Sequence, residues 1–148
     1  MVKRKSVEDT DSVTLRTTIF GASDGLVASI ALILATMTHG RRVVLAAVIG
    51  LLIAEGLGMA ASQFLSDPRR NLRQAVIMGV ATSITIVVPA VPWLFSSGNT
   101  AAVVSGVIAL IFAGLISRAR PGGWSTWVQT YGVLIGVGAI ATVAGRLT

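Results

Sequence analysis

Five apolar stretches, each of roughly 20 residues and separated by short polar turns, constrain this chain more than anything else in it, because a run of that length spans the ~30 Å hydrocarbon of a bilayer. They cover about residues 17–37, 43–65, 72–95, 100–117 and 124–146. Only 12% of the 148 residues are charged and the mean hydropathy is +0.81, whereas a soluble domain carries about a quarter charged residues. The expected fold is therefore all-α: a polytopic membrane protein of five transmembrane helices forming one domain over residues 17–148. Residues 1–16 are polar and mixed in charge, too polar for the apolar core of a cleaved signal peptide. They are expected to form a cytoplasmic tail or an interfacial helix.

The turns follow from local chemistry. Thr38-His39-Gly40-Arg41-Arg42 reads as a tight connection, Pro68 stops the second run, and Pro121-Gly122-Gly123 separates the last two. Pro89 and Pro92 fall near the far end of the third run, which finishes in Trp93, a residue suited to a membrane interface. Basic residues orient the chain. Lys3, Arg4, Lys5, Arg16, Arg69, Arg70, Arg73, Arg118 and Arg120 fall on one side, against Arg41, Arg42 and Arg146 on the other. The positive-inside rule then predicts a cytoplasmic N-terminus. The same rule accounts for the net charge of +6, so nucleic acid is not an expected partner. There is no cysteine and a single histidine, which leaves no thiol chemistry and no Ser/His/acid cluster. An enzyme is not expected.

Of the six acidic residues, only Asp24 and Glu55 lie inside the apolar runs. A charge there costs at least ~2.5 kcal/mol, so an intramembrane acid is expected to face a partner, a cavity or an ion. Asp24 falls about 10 Å in from the start of the first span, and Met59 on the antiparallel second span falls at a similar depth. Glu55, Met59 and Gln63 recur every fourth residue and so form one stripe. Carboxylate, thioether and amide at matched depth suggest a stepwise path for a divalent transition metal. Gly21, Gly25, Gly56 and Gly58 flank the acids, either to let helices approach or to allow a kink that turns carbonyls toward a path. Met78 on the third span offers a second thioether or, more simply, packing. Glycines of the last two spans, Gly106, Gly114, Gly132, Gly136 and Gly138, read as packing faces. Other roles are open for the site residues: Asp24 as a helix cap or a partner of Arg16, Glu55 as a protonated acid hydrogen-bonded to Ser or Thr, Met59 as core filling.

These residues carry a resemblance. The segment Leu15-Arg16-Thr17-Thr18-Ile19-Phe20-Gly21-Ala22-Ser23-Asp24-Gly25-Leu26-Val27 resembles the first-span signature of the vacuolar iron transporter family, and Gly58-Met59-Ala60-Ala61-Ser62-Gln63-Phe64-Leu65-Ser66 resembles its second. The double-proline segment Val88-Pro89-Ala90-Val91-Pro92-Trp93-Leu94-Phe95 and Gln129 with the later glycines are similar to its third and last spans. The chain looks like a short form, since only Ser66–Asn71 stands where many members insert a cytoplasmic metal-binding domain. Ser23 replaces the usual Asn, Gln63 the usual Glu and Ser117 a common Lys, while Glu55 stands where relatives have a small residue. The resemblance implies a five-span homodimer that exports cytosolic Fe2+ or Mn2+ in exchange for protons, with a path between protomers near spans one and two. The residues' own chemistry names Asp24, Glu55, Met59 and Gln63 as candidate metal ligands, a set that also suits Co2+ and Zn2+, with Ser23, Gly21, Gly25, Gly58 and Met78 as candidate path or kink residues. No resident cofactor is expected. Two other classes fit the composition: a proton-coupled exporter of small organic cations, and a membrane scaffold that keeps the fold without transport.

Overall fold

The computed structural model describes residues 2–120 and 122–147, with side chains from Ser12 onward. The described chain is helical almost throughout: α1 (Val2–Thr36), a 3₁₀ turn (Met37–His39), α2 (Arg41–Ser66), α3 (Leu72–Ala90), the single turn α4 (Pro92–Phe95), α5 (Gly98–Ala119) and α6 (Trp124–Leu147). Five helical stretches are long and apolar enough to cross a membrane: Ser12–His39, Arg41–Ser66, Leu72–Phe95, Gly98–Ala119 and Trp124–Leu147. They coincide with the five apolar runs of the sequence, and their outward faces carry residues such as Ile53, Leu57, Val103 and Ile140. Apolar patches of that extent are rare on soluble proteins.

Turn chemistry joins the helices. Gly40, at φ 90°, breaks the chain between α1 and α2, in a conformation that a Cβ would disfavour. After α2, the Asp67 side chain accepts the Arg69 backbone N–H at 2.9 Å, and the Asn71 side chain caps α3 by accepting from the N–H groups of Arg73 and Gln74. Pro89 is accommodated inside α3, but the helix stops at Ala90 and Pro92 opens the separate turn α4.

Helices α1 and α3 form the centre. α1 packs against α2, α3, α5 and α6, while α3 packs along α1 on one side and α2 on another. Two apolar clusters fill the bundle. One joins Ile33, Val44, Val48, Ile86, Ala90, Trp93 and Ala101, and the other joins Leu26, Ile30, Ala109, Ala113, Ile116 and Leu134.

The N-terminal segment is helical and continuous with the first span, α1 running from Val2 to Thr36 without a break. At 35 residues it reaches about 52 Å, well beyond a ~30 Å core. Trp93 is not exposed as an interface anchor would be: it is fully buried in the first cluster, where α4 turns it onto the bundle. Of the late glycines, Gly114 and Gly138 meet neighbouring helices, through Tyr131 and Leu34, but Gly106, Gly132 and Gly136 face open space.

Candidate functional site

The seam between α1 and α3 explains two of the glycines flanking Asp24. A Cβ on Gly21 would stand 2.7 Å from the Met78 carbonyl oxygen and 2.9 Å from Thr82 Oγ1, and one on Gly25 would collide with the Thr82 carbonyl. Thr17, Gly21, Gly25 and Ser29 thus form a continuous buried face, four residues apart as a helix stripe requires. Hydroxyls close the seam. Ser29 Oγ is hydrogen-bonded to the Leu26 and Thr85 carbonyls at 2.9 and 3.2 Å, and Gln74 Nε2 donates to Thr14 Oγ1 at 2.9 Å. Met78, 6% exposed, belongs to this seam and packs beside Gly21.

Asp24 precedes Gly25 and therefore points about 100° away from the seam. It is half-buried, and Phe20, one turn earlier on the same side, is 59% exposed. On α2, Gly56 and Ala60 press against Ser83 and Gly79 of α3. The inward stripe that begins with Val44 and Val48 continues as Leu51, Glu55, Met59 and Gln63, all half-buried. Among the described residues neither Asp24 nor Glu55 has a hydrogen-bond or ion-pair partner. Gln63 closes α2: its carbonyl accepts from the Asp67 backbone N–H and from Ser66 Oγ.

Ser23 parts company with Asp24. It lines a cavity of about 320 Å³ between α1, α5 and α6, shared with Arg120, Gln129 and Thr130, and its hydroxyl is buried without a partner. Gly58 faces open space. α1 and α2 pass through Gly21, Gly25, Gly56 and Gly58 as unbroken helix. They serve close packing in three cases and leave an open face at Gly58. Ser117 is buried.

The three described cavities do not bring the acids together. The largest, about 700 Å³, is an apolar groove between α2 and α3 that includes Gly56 but not Glu55, and the others are lined by neither Asp24 nor Glu55. Among the described residues no three His, Cys, Asp or Glu side chains gather closely enough to hold a metal ion. The described part of one chain thus presents two half-buried carboxylates and no finished cage. Sequence reasoning overlooked that the glycine face of α1 seats on α3 rather than on α2. The signal was available in the hydroxyl residues of α3, Thr82 and Thr85, whose helical spacing marks the face that meets Gly21, Gly25 and Ser29. Protein-family models, characterised proteins and solved structures were compared with this chain and none matches.

Proposed function

We propose that this protein is a secondary transporter that exports a divalent transition metal, ferrous iron or manganese, in exchange for protons, as a short relative of the vacuolar iron transporters. One observation carries the reading: two carboxylates sit half-buried and unpartnered within apolar membrane-length helices. Each would cost ~2.5–3.5 kcal/mol as an isolated charge in a bilayer, and a cation or a proton removes that cost. A second copy facing the flank of α1 and α2 would double the carboxylates to four and supply the ligands that one chain lacks. Asp24 and Glu55 offer hard oxygens, while Met59 adds a softer donor that favours transition metals over magnesium and calcium. The carboxylates must be ionised to hold the metal, so protons arriving from an acidic outer side displace it.

The test is metal-driven proton flux in proteoliposomes. Acidifying the side opposite the metal accelerates exchange in the wild type, and Asp24→Asn abolishes it. Wild-type flux in Asp24→Asn removes that residue from the mechanism. A second reading, a non-transporting membrane scaffold, is favoured by the absence of a three-ligand cluster among the described residues. Titration of the purified protein with Mn2+ separates the two, since a scaffold has no site that disappears in Asp24→Asn. An organic-cation exporter has less support, because Glu55 lines none of the three described cavities.

A further inference from the structure

The groove between α2 and α3 is independent of the two acids. Its floor is formed where Gly56 and Ala60 of α2 meet Gly79 of α3, and its α3 wall is Val76, Val80, Ile84 and Val87. These wall residues are between 40 and 52% exposed, so the groove opens sideways, away from the bundle. From Val76 to Val88 it extends about 18 Å along α3, close to the depth of one leaflet of a ~30 Å hydrocarbon core. The decisive feature is at one end. Arg73 precedes Val76 by three residues and Val80 by seven, which places it within about 20° of Val80 around the helix. It therefore stands on the groove's own face, one turn beyond its end. Arg69 and Arg70 lie in the adjoining turn, where Arg70 takes a left-handed conformation at φ 46°. All three side chains are exposed, and none of their guanidinium groups has a partner among the described residues.

We propose that this groove binds one acyl chain of an anionic phospholipid, whose phosphate is held by Arg73 together with Arg69 and Arg70. An apolar trough that ends in a cluster of unpaired guanidinium groups matches that amphiphile in both shape and charge. Guanidinium recognises phosphate through paired N–H donors, and basic clusters beside membrane helices attract anionic headgroups. A second copy of the chain is the rival occupant, and the trough-filling variants separate it from lipid.

The protein, purified in detergent, is incubated with equal amounts of phosphatidylglycerol and phosphatidylcholine bearing the same chains, and retained lipid is counted by native mass spectrometry. Wild type is expected to retain phosphatidylglycerol at least about fivefold over phosphatidylcholine, the factor that one basic residue near the headgroups supplies. Arg73→Ala brings the ratio close to one. Val80→Trp and Ile84→Trp, which fill the trough from its open side, lower retention of both lipids, with circular dichroism and size exclusion verifying the fold. Equal retention by wild type, an unchanged ratio in Arg73→Ala, or undiminished lipid in folded trough-filled variants each overturns the proposal. So does conversion of a dimer to a monomer by Val80→Trp with lipid unaffected, which would assign the trough to a second copy. Should both tryptophan variants fail to fold, the wild-type competition and Arg73→Ala decide alone.

Discussion

Two sides of α1 face different demands. The side bearing Gly21, Gly25 and Ser29 is buried against α3, and Ser29 bonds across to the Thr85 carbonyl. The side bearing Phe20 and Asp24 is only partly covered, and the carboxylate on it has no partner among the described residues. Asp24 and Gly25 are adjacent in sequence, yet about 100° of helix rotation separates structural closure from an open chemical position. The comparison teaches that the glycines beside an acid in a membrane-length helix need not serve that acid; here they serve a seam about 100° away.

Substitution on each side tests the division. The largest effect is expected from Gly25→Leu, whose side chain would run into the Thr82 backbone. Overpacking alone costs ~1–3 kcal/mol, and a backbone collision adds to it. Loss of most of the monodisperse protein in size-exclusion chromatography is expected, and normal yield would mean the seam is looser than its geometry. Next comes Asp24→Asn, which abolishes metal-dependent proton flux while unfolding stability stays within about 0.5 kcal/mol, as for substitutions that break no packed contact. Equal damage to stability and flux would erase the distinction between the two sides. Glu55→Gln is expected to weaken Mn2+ binding by about tenfold, the loss of one charge-assisted interaction of ~1.5 kcal/mol; an unchanged isotherm removes Glu55 from the path. Ser29→Ala gives the smallest effect, about 0.6 kcal/mol, typical of one interhelical hydrogen bond in a membrane, with transport unaltered. A transport defect in that variant would place the seam in the mechanism.

The positions of the helices were legible because each is set by local chemistry. Apolar run length marks the five membrane-length stretches, Gly40 marks the turn after the first, and Pro68 ends the second, while the Asn71 cap and the break between Pro89 and Pro92 were seen only in the structure. The candidate residues were legible as residue types out of place in hydrocarbon. Their surroundings were not. Trp93 has the composition of an interface anchor, but one helical turn after Pro92 decides that it enters the core. Ser23 and Asp24 look like one motif, but the first borders the cavity with Arg120 and Gln129 while the second lies on another side of the helix.

The sequence by itself determined the number of membrane-length helices, their turns and the identity of the two exceptional acids, since each depends on residues near one another along the chain. Only the tertiary structure decided which helix covers which face: that α3 takes the glycine side of α1, that neither Asp24 nor Glu55 lines a described cavity, and that Arg73 ends an apolar trough. In a bundle where nearly every helix is apolar all round, hydrophobic pattern does not choose partners. Contact between small residues and hydrogen bonds across the seams make that choice.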